Sequence, residues 1–197
     1  KDASSWNEIP QLERDADGAI PKVNVSVKMS AVYSQINDKA WSETKTILKN
    51  RLRPIFKKGM DLGVFINLDM EHYAVKHLTV EVFKELIDEP ELKNYRFFGC
   101  VVQAYLRDSF QDIKDLTNFA RERGTPFTIR LVKGAYWDSE TIEAKQQGWP
   151  IPVYTVKAES DANYEVCASY LLENYKHIRA ALASHNVRTL AAALVKA

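Results

Sequence analysis

Five apolar, β-branched runs alternate with segments of helical spacing, and this rhythm limits the fold more than any other feature of the sequence. The runs are Val23 to Ser30, Val64 to Asp69, Phe97 to Tyr105, a fourth starting at Phe127, and Ile178 to Ser184. From Trp41 to Leu62, Ile47, Leu48, Leu52, Ile55, Phe56 and Met60 recur at helical spacing and Gly63 follows as a stop. Pro54 predicts a kink or a fresh start inside that helix. Further helices are expected from Tyr73 to Ile87, Ser109 to Arg123, about Ser160 to Asn174, and from Val187 onward. Between the fourth run and Ser160 a long connection is expected, through Gly148-Trp-Pro-Ile-Pro152. Strand then helix, at roughly thirty to forty residues per unit, predicts a parallel sheet. No Gly-x-Gly-x-x-Gly follows the first strand, so a (β/α)8 TIM-type barrel is favoured over a dinucleotide-binding sheet.

The barrel is expected to be incomplete. The chain has 197 residues, such barrels take about 250, and about five of the eight strands are present. At least one strand is expected before residue 22 and about two after Ala197. Residues 1–22, with Pro10, Asp15, Asp17, Gly18 and Pro21, read as an irregular lead-in, and residues 23–197 as the central part of the barrel. The start has no initiator Met and no apolar leader, as expected for the middle of a longer protein. With 46% hydrophobic residues, 27% charged residues and a net charge of +1, the chain can bury a sizeable core and has no field for nucleic acid. No run of about eighteen apolar residues encodes a membrane span. Cys100 and Cys167, far apart in apolar contexts, read as reduced core residues.

Each run carries a distinctive polar group near its carboxyl end: Lys28, Asp69, Gln103, Arg130 with Lys133, and His185 with Asn186. In a barrel that end carries the chemistry. An Arg in a buried strand costs several kcal/mol unless something anionic meets it. Gly134 lets backbone approach a bound group, and Tyr136 and Trp137 suit the wall of a flat ring. Singly, each has a structural reading: a solvated strand end, a helix cap, a satisfied core amide, an Arg paired across strands, a core histidine. Their convergence from five strands argues for a site. Asp69, Glu71 and His72 make a poor metal set. Lys28 or Lys133, desolvated, suits a Schiff-base lyase. A flavin uses the residues best: Arg130 against the charge of a reduced ring, Gln103 on its pyrimidine edge, Trp137 along it.

Six ordered segments make the resemblance specific: Val27-Lys-Met-Ser-Ala31, Asn67-Leu-Asp-Met-Glu71, Val102-Gln-Ala-Tyr-Leu-Arg-Asp108, Arg130-Leu-Val-Lys-Gly-Ala-Tyr-Trp137, Pro152-Val-Tyr-Thr-Val-Lys157 with Ser160-Asp-Ala-Asn-Tyr164, and Ala183-Ser-His-Asn186. The chain resembles the proline dehydrogenase barrel, most closely the form fused to a Δ1-pyrroline-5-carboxylate dehydrogenase in bacterial proline utilization A. The resemblance implies FAD-dependent oxidation of L-proline to Δ1-pyrroline-5-carboxylate, with electrons passed to a membrane quinone. It implies that Lys28 binds the proline carboxylate, that Tyr136 lines the proline pocket, and that Asp69 and Arg130 are catalytic, Arg130 lying beside the flavin N5. Met70, Gln103, Lys133, Gly134, Ala135 and Trp137 are expected around the isoalloxazine and pyrophosphate. Thr155, Lys157, Ser184, His185 and Asn186 are expected at the ribityl, phosphate or adenosine parts.

The family's final helix, carrying two substrate-clamping arginines, is absent from this sequence, and Val156 stands where many relatives have a basic residue. The fragment by itself is therefore expected to bind flavin poorly and to turn over nothing. The resemblance also implies a cytoplasmic protein, peripheral to the inner membrane face. Two alternatives stay open: a Schiff-base aldolase on the same barrel, and a non-catalytic structural fragment.

Overall fold

The computed structural model describes residues 5–7 and 9–197. The five expected strands form: β3 (Asn24–Val27), β4 (Phe65–Leu68), β5 (Phe98–Gln103), β6 (Phe127–Val132) and β7 (Ile178–Leu182). They pair only in parallel and in chain order, β3-β4-β5-β6-β7. An unreversed order is that of a barrel wall; a doubly wound sheet changes direction at a switch point. The sheet is open, with β3 and β7 as its edges.

Period-two alternation sorts the strand residues onto two faces. Val27, Leu68, Cys100, Ile129 and Ala180 lie in register in one row. That row belongs to the same apolar core as Leu48, Leu52 and Phe56 of α3 (Trp41–Asp61), Leu78, Val82 and Phe83 of α4 (Lys76–Ile87), Ile113 and Leu116 of α5 (Ser109–Arg123), and Cys167 and Leu171 of α7 (Lys157–Glu173). The intervening rows carry the polar residues. Ser26, Asn67, Gly99 and Thr128 are in register, as are Val101, Arg130 and Ala181, and then Gln103 and Val132. Both cysteines are free and buried in the core, and burial pushes the Cys167 thiol up to about 11.

Several expectations about elements need correction. α3 runs on through Pro54 without a fresh start. Leu48, Leu52 and Phe56, all fully buried, hold the helix on both sides of it, and this burial offsets a proline penalty of about 3 kcal/mol. The long connection after β6 contains a helix, α6 (Trp137–Gln147), closed by Gly148 with φ of 67°. Only Glu140, Thr141 and Ala144 of α6 are buried, so the helix has no apolar stripe by which its sequence betrays it. The first strand stops at Val27, where buried Met29 starts a single helical turn, α2 (Met29–Val32). Of the lead-in, residues 1–4 and 8 lie outside the described residues. Its remainder holds the one-turn α1 (Pro10–Glu13) and a small hairpin of β1 (Arg14–Asp15) with β2 (Gly18–Ala19). Arg96 and Arg179 hold that hairpin through Asp15 and Asp17.

Candidate active site

The carboxyl ends of the five strands surround a cleft of about 490 Å³. Its lining includes Lys28, Asp69, Met70, Gln103, Arg130, Lys133, Gly134, Ala135, Tyr136, Ser184, His185 and Asn186. Trp137, Thr155 and Lys157 are not among its lining residues. They are exposed on the adjoining segment, where the Trp137 indole donates to the Tyr154 carbonyl at 2.9 Å. Sequence reasoning missed Val101, Val132 and Ala183, which give the cleft an apolar floor. For Val101 and Val132 the signal was the period-two spacing from Gln103 and Arg130.

Arg130 is the centre of the polar network. One Nη donates to Asp69 Oδ1 at 2.5 Å, and the other to Ser26 Oγ at 3.2 Å, so the side chain spans the inner face from β6 to β3. Asn67 donates to the same Asp69 oxygen at 3.0 Å. The guanidinium is thus fixed by its fork, which a lysine cannot reproduce. Its Nε is buried without a partner, as is Gln103 Oε1. The Gln103 amide donates to the Glu71 carbonyl at 3.3 Å, so this side chain is pinned at one end and free at the other.

The remaining cations differ in their surroundings. Lys133 is paired with Asp161 of α7, which also accepts from Lys157 at 2.7 Å. These two hydrogen bonds, Lys133 first, hold the Asp161 carboxyl below its ordinary value. Lys28 lines the cleft, exposed, and its ammonium has no hydrogen-bond or ion-pair partner among the described residues. His185 is likewise exposed at the rim, whereas Ser184 and Asn186 are used locally. Ser184 Oγ accepts the Asn186 N–H at 3.1 Å, and Asn186 caps α8 (Val187–Lys196) by accepting from the Thr189 N–H at 3.1 Å. Asp69, Glu71 and His72 do not form a metal-binding group, and no cluster of three or more His, Cys, Asp or Glu suited to a metal occurs among the described residues.

Gly134 has φ of 134°, and a Cβ built there meets the Tyr105 ring at 2.5 Å. That ring cannot retreat easily, because the Tyr105 N–H donates to the Lys133 carbonyl and its carbonyl accepts from the Tyr154 N–H. Gly134→Ala is therefore expected to cost more than the roughly 1–3 kcal/mol of backbone strain alone. Gly63→Ala, at φ of 63° with nothing within 4 Å, is the control that carries only the backbone cost. Hydrogen exchange across residues 133–137 checks this: the turn should lose protection in Gly134→Ala by well over the change seen around residue 63 in Gly63→Ala.

A sequence model of the family described as "Proline dehydrogenase" matches residues 2–197. A "Bifunctional protein PutA" from Klebsiella aerogenes is 34% identical over 169 residues, 85% of this chain and 13% of that protein. The human "Proline dehydrogenase 1, mitochondrial" is 29% identical over 157 residues, 76% of this chain and 25% of that protein. Among solved structures, proline utilization A from Bdellovibrio bacteriovorus, inactivated by N-propargylglycine, superposes with a TM-score of 0.96 at 72% identity, over 98% of this chain and 20% of that one. The chain thus spans a minor part of each of these relatives' length. A family match over nearly the whole sequence, and a five-stranded parallel wall that recurs in proline utilization A, together place this chain in the proline dehydrogenase family.

Proposed function

We propose that the cleft is the active site of an FAD-dependent dehydrogenase that oxidises L-proline to Δ1-pyrroline-5-carboxylate and passes the electrons to a membrane quinone. The observation that carries this reading is a fixed Arg130, braced by Asp69 with its Nε unpartnered, beside an unpaired Lys28 over an apolar floor. The residues fit a flavin. Gln103 Oε1 and Arg130 Nε are buried polar atoms that still need hydrogen-bond partners, and the polar edge of a ring supplies them. Met70, Gln103, Arg130, Lys133, Gly134 and Ala135 would hold the ring system and pyrophosphate. Trp137 would lie along the ring from the adjoining segment, and Thr155, Lys157, Ser184, His185 and Asn186 would take the ribityl, phosphate or adenosine parts.

When bound, the flavin supplies the acceptor for the hydride. The chain's own residues do the rest. Lys28 binds the carboxylate of proline as a point charge. Asp69 holds the guanidinium of Arg130 in place, so that a cation faces the charge that develops without having to reorganise. Tyr136 closes one side of the pocket that takes the proline ring. The names of the relatives support a proline substrate, and the word "bifunctional" supports a fused pyrroline-5-carboxylate dehydrogenase in the full-length protein. On this reading the full-length protein is cytoplasmic and docks peripherally on the inner membrane face to reach the quinone; no helix among the described residues is long and apolar enough to cross a membrane. A lysine imine mechanism has less support: Lys133 is ion-paired and Lys28 is exposed, and neither setting is the dry apolar one that makes a lysine nucleophilic.

The test is the visible absorption spectrum of the full-length protein before and after anaerobic L-proline. Flavin bands that bleach with L-proline and not with D-proline are expected; a colourless protein that cannot be reconstituted with FAD overturns the reading. Lys28→Ala is expected to raise KM for L-proline roughly 30-fold or more, the lower end of the 2–5 kcal/mol lost when one partner of a charge pair is truncated. A KM within threefold of the parent value removes Lys28 from the carboxylate site.

A further inference from the structure

We infer that Glu140 is a positioning residue for this reaction: it sets Tyr136 against the cleft by tying the loop after β4 to the head of α6. The inference rests on the proposed reading of the cleft and adds to it a residue outside the cleft lining. Glu140 is 5% exposed. Its Oε1 accepts the Tyr73 N–H at 2.7 Å and faces His72 Nδ1 at 3.6 Å. The His72 ring lies against the Tyr136 ring, with centroids 4.4 Å apart and planes inclined by 45°. Glu140 also donates its own N–H to the Tyr136 carbonyl at 2.9 Å. Tyr136 is therefore gripped twice, at its backbone by the first turn of α6 and at its ring by the histidine that Glu140 faces.

The other end of this clamp is anchored. The loop is held at Glu71, whose carbonyl accepts from Gln103 and whose carboxylate accepts from the Ser30 N–H at 3.1 Å and the Ser30 hydroxyl at 2.6 Å. Burying a carboxylate is costly without a partner, and among the described residues Glu140 pairs with no Lys or Arg. α6 turns only Glu140, Thr141 and Ala144 inward, so a carboxylate is poorly chosen for packing. It is well chosen for holding a backbone N–H and an imidazole in one place. Without that acceptor the Tyr73 N–H loses its partner, His72 leaves Tyr136, and the tyrosine ring gains rotamers. The consequence is a looser pocket for the bound proline, which raises KM and leaves the chemical step nearly untouched.

The experiment uses the full-length protein loaded with FAD, and compares Glu140→Ala, Glu140→Gln, Tyr136→Ala and the double variant. Glu140→Ala is expected to raise KM for L-proline, and the Kd of tetrahydrofuran-2-carboxylate read from the flavin difference spectrum, by tenfold or more, with kcat changed less than threefold. Glu140→Gln keeps the acceptor oxygen and is expected to stay within threefold of the parent in both. Because Glu140 acts through Tyr136, adding Glu140→Ala to Tyr136→Ala should change nothing further. Additive effects, an unmoved KM, or a Glu140→Gln as impaired as Glu140→Ala each overturn the inference. Should Glu140→Ala not fold, Glu140→Asp, which retracts the oxygen by one methylene, takes its place: a raised KM that vanishes in the Tyr136→Ala background supports the clamp, and an unchanged KM refutes it. A parent protein that neither holds flavin nor responds to L-proline defeats the proposed function itself, a result separate from any failure of the clamp.

Discussion

Arg130→Met is expected to slow reduction of the bound flavin by L-proline by about 10²–10³-fold, the range found when one preorganised electrostatic donor is removed from an active site. Met keeps most of the side-chain stem, so β6 should retain its packing between β5 and β7. What disappears is the cation that Asp69 and Ser26 hold over the inner face. Arg130→Lys is expected to recover only part of the rate, because a point charge on a flexible stem cannot bond Asp69 and Ser26 together. Asp69→Asn should fall in between: it keeps an acceptor for the guanidinium but not the charge that fixes it. Anaerobic stopped-flow bleaching of the full-length protein measures all three. A rate within threefold of the parent in Arg130→Met, with flavin still bound, would remove Arg130 from the chemistry.

The same arginine shows what the sequence makes legible. A lone cation two residues from the end of an apolar, β-branched run implies an anionic partner, and the period of two places Arg130, Val132 and Gln103 on one face. The partner itself was harder to see. Ser26 and Asn67 reach the network through strand register, which follows from pairing between residues far apart in the chain, and no local pattern records it. The residues around Gly134 divide in the same way. Its role as a breaker is local, but the Tyr105 ring that forbids a side chain there comes from the neighbouring strand's end. α6 and Pro54 mark the two opposite failures of local reading. A helix that buries only Glu140, Thr141 and Ala144 carries no periodicity, and a proline that should break a helix is overruled by three leucine and phenylalanine side chains buried beside it.

Lys76→Met is the substitution expected to cost most in stability, about 3–5 kcal/mol, as for removing one member of a buried ion pair. Lys76 is 2% exposed, at the start of α4, with Nζ 2.6 Å from both Asp108 and Asp112 at the head of α5. Tyr73 completes the group by donating to Asp108 at 3.1 Å; burial first, and then the Asp108 charge, push its phenol up to about 12. Nothing local in the α4 sequence announces that two carboxylates of the next unit converge on Lys76. Loss of the ammonium leaves Asp112 without its partner in a poorly solvated place, while Asp108 stays partly exposed to water. Burial already raises the Asp112 carboxyl above its ordinary value, with Lys76 as the principal opposing influence, so the variant raises it further. The sign of the pH dependence follows. A carboxyl whose folded value exceeds its unfolded one binds a proton in the native state first, so the native state gains stability as pH falls. The deficit of Lys76→Met should be largest at neutral pH and shrink as pH falls through the raised folded value toward the ordinary 3.8. Adding Asp112→Asn removes one buried charge and should recover part of the loss at neutral pH and flatten its pH dependence. Hydrogen exchange in α4 and α5 of the full-length protein reads the effect without assuming two-state unfolding of the whole. Protection there should drop by roughly 10² or more at neutral pH, on the scale of 1.4 kcal/mol per tenfold change. A deficit that is small, or that grows on acidification, would mean that the lysine and its two carboxylates are solvated and do not bind α4 to α5.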